Sequence, residues 1–309
     1  MSAYTDLQSL IALEYKARGF SFLPSQPVHS LLAGRRGSRM RGRGLNFEEL
    51  RSYAAGDDVR VIDWRVTARM RKPFVRVYTE ERDRSTLLVV DQRVNMFFGS
   101  HVSMKSVVAA EAAALAAWRV LQQGDRVGAF VFNDTTTQEV RPRRSRATVL
   151  RILEALVRMN KLLHATYESP PAEHRLNEVL RKVAQLARRD HLILVTSDFD
   201  GADATTRDLL RSLAQQNDVV ALLAYDPIAV QLPPAGQLVV SDGELQVELP
   251  FGDERIRRTI HDASDARLRH VFAWQREIRV PVMPLSTAEE TALQIRHFLG
   301  QVVSRRAFR

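Results

Sequence analysis

The sequence predicts an α/β fold, a doubly wound and mostly parallel sheet with an amino-terminal collar and a β-hairpin insertion. Two apolar runs, residues 87–90 and 191–196, are continuous rather than alternating, as in strands covered on both faces. From Ser85 onward, strand patterns alternate with helical patterns, the order that builds a parallel sheet between two layers of helices. We therefore expect a main domain over residues 85–309, with residues 1–84 forming a helix and a collar packed on it.

Each element has its own signal in the chain. Apolar residues at helical spacing predict a helix over residues 5–18. Asn46 followed by Glu49 resembles a capping box and predicts a short helix over residues 47–53, and a strand follows Pro73 over residues 74–78. In the main domain we predict strands over residues 85–90, 126–132, 137–140, 191–196, 219–225 and 280–285, and helices over residues 104–121, 147–160, 176–188, 205–216, 257–276 and 287–302.

Residues 229–250 interrupt this alternation. Two short apolar segments, residues 238–240 and 245–249, flank a Ser-Asp-Gly sequence and predict a β-hairpin insertion. Pro281 and Pro284 lie in the last predicted strand. Because proline cannot donate a ladder hydrogen bond, that strand is expected at an edge of the sheet.

The composition excludes several classes of protein. The 309 residues contain no cysteine, so disulfides and thiolate chemistry are excluded. No apolar stretch approaches the roughly 18 residues of a membrane span, and the amino terminus does not resemble a signal peptide, so we expect a cytoplasmic protein. The 45 Lys and Arg residues exceed the 36 Asp and Glu residues by nine. Ten of these cations form two acid-free clusters, namely Arg35, Arg36, Arg39, Arg41 and Arg43, and then Arg141, Arg143, Arg144, Arg146 and Arg151.

Carboxylates follow the two buried strands. Asp91 and Asp198 each end one of them, and Asp200 adds a third acid two residues on. Sites in open parallel sheets form beyond the carboxyl ends of the strands, at the switch point in strand order. If the two strands are neighbours, their acids face one crevice, and such acids suit Mg²⁺ or Ca²⁺. The alternative is that these aspartates cap helices and turns.

One polar segment is unusually specific. Residues 42–69, above all GDDVRVIDWRVTAR at 56–69, resemble the signature of a bacterial family known as domain of unknown function 58, and the resemblance runs from about residue 43 to 299. The part from Ser85 is similar to a von Willebrand factor A domain, which implies a Rossmann-like sheet with a metal-ion-dependent adhesion site at its carboxyl edge. The signature residues in this chain are Arg43, Glu48, Arg51, Asp57, Asp58, Arg60, Asp63, Trp64, Arg65 and Arg69.

Two interpretations of the signature remain open. Its acids and arginines could form an ion-pair network that locks the amino-terminal segment in place, with Trp64 as a core anchor. Its exposed arginines could instead form a partner surface. The resemblance implies a partner class, because members of the family often occur beside MoxR-type AAA+ ATPases and are thought to act as their adaptors.

The adhesion site departs from the D-x-S-x-S pattern of its relatives. Asp91 is kept, but Arg93 and Asn95 occupy the two serine positions, and Asp198 matches the final aspartate. A bound cation would lie close to Arg93, and like charges a few ångströms apart repel by roughly 4 kcal/mol at an effective dielectric constant near 20. We hypothesise that Arg93 lies between Asp91 and Asp198 and replaces the ion. The alternative is Mg²⁺ held by Asp91, Asn95 and Asp198.

Three functions follow from these observations. The first is a non-enzymatic adaptor for a MoxR-type ATPase and an unknown client protein. The second is a divalent-metal-dependent phosphoester hydrolase using Asp91, Asp198 and Asp200. The third is nucleic-acid binding through the arginine clusters, which is disfavoured because the chain has no recognised reader motif. The sequence contains no phosphate-binding loop, no G-x-S-x-G elbow and no H-E-x-x-H helix.

Overall fold

The computed structural model describes residues 2–18, 45–54, 59–80, 85–164, 174–227, 237–241, 246–250 and 254–304. The chain forms two compact units, Met1–Phe22 with Arg84–Arg309, and Leu23–Asp83. The elements in chain order are α1 (Leu7–Lys16), β1 (Leu45–Ser52), α2 (Trp64–Met70), β2 (Phe74–Glu80), β3 (Ser85–Asp91), α3 (Lys105–Gln122), β4 (Arg126–Phe132), β5 (Thr137–Arg143), α4 (Arg146–Asn160), α5 (Arg175–Leu186), β6 (His191–Ser197), α6 (Ala204–Ala214), β7 (Asp218–Tyr225), β8 (Gln237–Ser241), β9 (Gln246–Pro250), α7 (Glu254–Glu277), β10 (Val282–Ser286) and α8 (Thr291–Ser304).

The larger unit is built on a six-stranded sheet of order β10-β7-β6-β3-β4-β5. All neighbours are parallel except β4 and β5, which form the predicted antiparallel pair. The chain runs outward from β3 to β4 and β5, then returns to place β6 on the other side of β3. The switch point in strand order therefore lies between β3 and β6. The predictions of a mostly parallel sheet and of an edge position for the last strand are confirmed.

Helices cover both faces of this sheet, so the doubly wound arrangement is confirmed. On one face, side chains of α5, α6 and α7 pack with Leu87 and Val89 of β3 and with Ile193 and Val195 of β6. On the other face lies α3, an alanine-rich helix with almost every side chain buried, and it contacts α1, α4 and α8. Because helices bury both faces of these strands, both sets of alternating side chains are apolar, which explains the continuous apolar runs in the sequence.

Helix α1 belongs to the larger unit, although residues 23–83 separate it in the sequence from the rest of that unit. Leu10 is fully buried, and its carbonyl oxygen accepts a hydrogen bond of 3.0 Å from the indole Nε1–H of Trp118 in α3. Arg146 donates to both carboxylate oxygens of Glu14 at 2.7 and 2.8 Å and lies 4.7 Å from the Trp118 ring centroid. These contacts join α1 to α3 and α4. Whether residues 1–84 as a whole pack on the main domain stays a prediction.

In the smaller unit, the predicted helix over residues 47–53 is wrong. Those residues form β1, which pairs antiparallel with β2. The register shifts between Phe47 and Glu49, which makes Glu48 the extra residue of a β-bulge. The ladder with β2 satisfies the backbone of this segment, and that tertiary pairing overrides the local capping signal of Asn46.

The hairpin insertion is present as β8 and β9, which pair antiparallel from Gln237↔Pro250 to Ser241↔Gln246. Its predicted turn at Asp242 and Gly243 lies outside the described residues. In the described part of the chain, no helix is both long and apolar enough to cross a membrane.

Candidate functional site at the carboxyl edge of the sheet

The two strands that end in Asp91 and Asp198 are neighbours, which is the condition that the predicted crevice required. Strands β3 and β6 are parallel neighbours, with Val90 opposite Thr196, so Asp91 and Asp198 leave the sheet side by side at the switch point. Both side chains are buried, with relative exposures of 0% and 3%. A buried carboxylate needs hydrogen-bond and charge partners, and each of the two has its own set.

Asp91 is paired with Arg93. The Arg93 Nε–H donates to Oδ1 and Oδ2 of Asp91 at 3.1 and 3.0 Å, and Nη2 donates to Oδ2 at 2.8 Å. The backbone N–H of Arg93 adds a 3.0 Å bond to Oδ1, and the Ser197 hydroxyl donates to Oδ2 at 2.6 Å. Burial tends to lower the pKa of Arg93, but the carboxylates around it, Asp91 first and then Asp198 and Asp134, together outweigh that effect and raise the pKa above its ordinary value.

Asp198 is paired with a lysine that the sequence analysis did not single out. Lys105, the first residue of α3 and only 8% exposed, places its Nζ 2.5 Å from Oδ2 of Asp198. Asn95 Nδ2 donates to Oδ1 at 3.0 Å, as does the backbone N–H of Asp200. Burial tends to raise the pKa of Asp198, but the cations around it, Lys105 first and then Arg93 and Arg267, together lower it below its ordinary value.

A third pair lies at the mouth of the site. Arg267 of α7 forms an ion pair with Asp200, and its Nη1 lies 3.7 Å from Oδ2 of Asp198. Both Arg267 and Asp200 are partly exposed. The Asp200 carbonyl accepts a 3.2 Å bond from Arg93, and Asp134 accepts the Val94 N–H at 2.8 Å. The site therefore contains a carboxylate–cation pair at each of three levels, from the buried sheet edge to the surface.

The turn that carries these acids is strained. Phe199 lies between Asp198 and Asp200 with a φ of 54°, which is unusual for a bulky side chain. Its ring is buried and meets Trp274 of α7 edge to face at a centroid distance of 5.1 Å. Such strain persists only where surrounding contacts impose it. Here the Phe199–Trp274 contact and the bond from the Phe199 N–H to Ser197 Oγ, at 2.9 Å, hold the turn.

As arranged, this site does not fit a hard divalent cation. The oxygens of Asp91 are bonded to Arg93 and Ser197, and those of Asp198 to Lys105, Asn95 and a backbone amide. An ion between the acids would lie within a few ångströms of two side-chain cations. Among the described residues, no group of three or more His, Asp or Glu side chains is arranged to hold a metal. One buried acceptor at the site, Asn95 Oδ1, has no hydrogen-bond partner there.

The signature residues belong to the smaller unit, Leu23–Asp83. Asp63 is buried and caps α2 by accepting N–H bonds from Arg65 and Val66 at 3.0 and 3.2 Å, a structural role. Trp64 is 68% exposed, so its interpretation as a core anchor is wrong. Arg60, Arg65 and Arg69 are exposed as well. Arg51 is half-buried at the end of β1, and Glu48 lies in the β1 bulge.

Part of the predicted set lies outside the described residues. This applies to Arg43, Asp57 and Asp58, and to the first arginine cluster. In the second cluster, Arg146 pairs with Glu14 across helices, and Arg141 pairs with Glu139 on the exposed side of β5. Arg146 therefore contributes to packing between helices, whereas Arg141 stays on the surface.

Fold and site together define a class of protein, a doubly wound α/β protein whose carboxyl-edge acids are neutralised by cations of the same chain. The chain belongs to the family described as "Protein of unknown function DUF58", whose model matches residues 49–270. It is 31% identical over 278 residues to uncharacterized protein Mb1516 of Mycobacterium bovis and to uncharacterized protein Rv1480 of Mycobacterium tuberculosis, covering 89% of this chain and 85% of each relative.

A solved structure also resembles the chain more distantly. It is the crystal structure of conserved hypothetical protein BatB from Bacteroides thetaiotaomicron, with a TM-score of 0.42 at 12% sequence identity, covering 72% of this chain and 98% of that one.

Sequence reasoning missed Lys105, Arg267 and Asp134. A weak signal for Lys105 was available, because a helix that follows a parallel strand begins at the carboxyl edge, and Lys105 is a cation at the start of a mostly apolar helix. Arg267 and Asp134 had no such signal, because their partners are 67 and 40 residues away in the chain.

Proposed function

We propose that this chain is a non-enzymatic protein-interaction module that works as an adaptor for a MoxR-type AAA+ ATPase in the remodelling or maturation of a client protein. The observation that carries the proposal is the internal neutralisation of the carboxyl edge. In a doubly wound fold this edge is where a cofactor or ion is expected. Here Arg93 and Lys105 bind the two buried acids, which favours a preformed recognition surface over a site that must recruit an ion.

The ATPase as partner class rests on what the resemblance of residues 42–69 to this family implies, and not on the geometry of the site. The site contributes a different point, namely independence from metal. Arg93 and Lys105 are buried and already paired with the two acids, so a partner contact at this edge needs no divalent ion, whereas a contact that depends on Mg²⁺ is lost to a chelator. The two kinds of contact can therefore be separated experimentally.

The test is a binding measurement with the purified MoxR-type ATPase of the same organism. The chain alone is treated with EDTA and desalted before mixing, so that the magnesium-nucleotide of the ATPase is untouched. We expect equal Kd values for treated and untreated chain. Binding that is lost after EDTA and restored by Mg²⁺ contradicts the metal-independent contact, and no binding by the untreated chain contradicts the adaptor proposal itself.

The hydrolase alternative makes a separate prediction. It requires Asp91, Asp198 and Asp200 to exchange their present cation partners for metal ions. Divalent-dependent turnover of a generic phosphoester such as p-nitrophenyl phosphate, lost in Asp91→Ala and retained in Arg141→Ala, is the result that would favour it over the adaptor.

A further inference from the structure

Helix α2, in the smaller unit, exposes an aromatic side chain beside two arginines. Trp64, Arg65, Ala68 and Arg69 are all exposed, whereas Val66 and Thr67 are half-buried. Residues four apart stack along a helix face, so Trp64 is above Ala68 and Arg65 is above Arg69 on one solvent-facing side. We call these four residues the Trp64 surface.

This surface leaves the indole uncovered. A residue four positions on would normally reach back over the turn that carries Trp64, but Ala68 is too short to cover a ring. Trp64 is 68% exposed, whereas Trp118 and Trp274 are fully buried. An exposed Trp flanked by arginines has the composition of an interface hot spot, where Trp and Arg are enriched.

The charge of the surface is uniform over the described residues 59–72. Arg65 and Arg69 belong to the Trp64 surface, and Arg71 and Lys72 follow directly after α2; all four are exposed. The one carboxylate in that range, Asp63, is 7% exposed and bonded to the first turn of α2. Asp57 and Asp58 precede this range and lie outside the described residues. The exposed face of α2 thus offers positive charge around an apolar centre.

The helix is also held in place before any partner arrives. Asp63 caps its start, and the Asp63 N–H donates to the Phe74 carbonyl at 2.8 Å. The Phe74 N–H donates to Thr67 Oγ1 at 3.0 Å. These bonds tie α2 to β2 at two points. A preformed surface loses less conformational freedom on binding, which suits a docking site.

We infer that the Trp64 surface is where an acidic protein face docks, with an apolar pocket receiving the indole and carboxylates pairing with Arg65 and Arg69. The inference rests on the proposed function in naming the ATPase as the protein that carries this face. Both cations of the Trp64 surface are arginines, which bind carboxylates in a bidentate manner. A two-turn helix with one aromatic ring has neither the long apolar face of a membrane-bound helix nor the several rings of a nucleic-acid stacking platform.

The surface can be tested first without the ATPase. Because the other two tryptophans are buried, emission that iodide quenches should come from Trp64, and its basic surroundings should make iodide a better quencher than caesium. We expect the iodide-accessible fraction to disappear in Trp64→Phe. Wild-type emission that iodide cannot reach, or that caesium quenches more strongly, overturns the inference.

The docking step is then measured with the full chain and the purified ATPase. We expect Trp64→Ala to weaken binding by about 30-fold or more, the size typical of an interface hot spot, and Arg69→Glu to weaken it by about tenfold. Ala68→Gln, which covers the indole, should also weaken binding. The matched controls are Tyr15→Ala, an aromatic 74% exposed on α1, and Arg141→Glu, whose side chain is 82% exposed; both should bind like wild type.

The outcomes separate the two proposals. Wild-type binding that all three α2 variants retain overturns the Trp64 surface and leaves the adaptor proposal standing. No binding by the wild type contradicts both. Trp64-dependent binding to phosphatidylserine vesicles or to duplex DNA, with no Trp64 dependence towards the ATPase, overturns the acidic-protein partner in favour of a membrane or a nucleic acid.

Discussion

The residue with the largest expected influence on the site is Arg93. It is 3% exposed and its guanidinium contacts the fully buried Asp91, so its removal leaves a buried carboxylate without a charge partner. Breaking a buried pair in this way costs about 3–5 kcal/mol. We expect Arg93→Ala to lower the free energy of unfolding by that amount, measured by urea denaturation, whereas Arg141→Ala on the surface should leave it unchanged. An Arg93→Ala protein as stable as wild type contradicts the role of the pair.

A second residue-scale prediction concerns the tethered cations together. If Arg93 and Lys105 stand in place of an ion, removing both should uncover Asp91 and Asp198 for a hard cation. We expect Mg²⁺ or Mn²⁺ to raise the Tm of the double variant Arg93→Ser, Lys105→Ala, and to leave the wild-type Tm unchanged. A metal-dependent rise in the wild type that Asp198→Ala abolishes shows instead that the natural site binds an ion.

At the scale of elements, the loop from β3 to α3 determines where Lys105 lies. A Cβ on Gly99 would lie 2.4 Å from the Ser103 carbonyl oxygen and 2.8 Å from the Met104 Cα. Both neighbours are backbone atoms, so the loop itself must move to admit a side chain. Lys105 is tied to this loop through its N–H, which donates to the Phe98 carbonyl at 2.8 Å. We expect Gly99→Ala to lower the Tm. In a double-mutant cycle, Lys105→Ala should then lower the free energy of unfolding by less in the Gly99→Ala background than in the wild type. Additive losses contradict the coupling.

The start of α6 shows how one element responds to pH. The Asp203 side chain accepts the Thr206 N–H at 2.8 Å and a bond from Asn177 at 3.0 Å. The backbone bond from Thr206 and the side-chain bond from Asn177 lower the pKa of Asp203 to about 2. Because the folded pKa is below the ordinary value of 3.8, the stabilisation is present above pH 3.8 and is lost as the pH falls towards 2.

This cap gives a matched pair of variants. Asp203→Ala removes the acceptor and should cost about 1 kcal/mol of unfolding free energy at pH 7. Asp203→Asn keeps an acceptor and should lower the free energy of unfolding by less than Asp203→Ala does. Measured by urea denaturation, the difference in unfolding free energy between Asp203→Asn and the wild type should become smaller from pH 4 to pH 2. A difference that grows on acidification has the opposite sign and contradicts the lowered pKa.

At the scale of the whole molecule, helix α1 stabilises the larger unit, although the rest of that unit starts only at Arg84. Leu10 is fully buried and Tyr15 on the same helix is 74% exposed. We expect Leu10→Ala to cost about 2–5 kcal/mol of unfolding free energy and Tyr15→Ala to cost almost nothing, with the unfolding of the larger unit as the readout. If the two variants are equally stable, α1 is peripheral rather than integral.

The predictable part of the molecule consists of features that are local in the chain. The continuous apolar strands β3 and β6 were visible because burial on both faces removes the alternation of a half-buried strand. The edge position of β10 followed from the missing N–H of Pro284, and the adjacency of Asp91 and Asp198 followed from parallel order. Where a local signal competed with a distant partner, as at Asn46 in β1, the local signal misled.

What the sequence by itself determined is therefore the order of strands and helices from residue 85 onward, the family, and the sheet edge at which acids meet. Only the tertiary structure decided which cation neutralises which acid and which aromatic faces water. Lys105 and Asp198 are 93 residues apart, and no pattern within either segment encodes their contact. Trp64 resembles a core residue by hydrophobicity, yet it is exposed, because Asp63 and Thr67 fix the orientation of α2. Contacts between residues far apart in the sequence, and the orientation of a helix, depend on tertiary packing, so no local pattern in the sequence determines them.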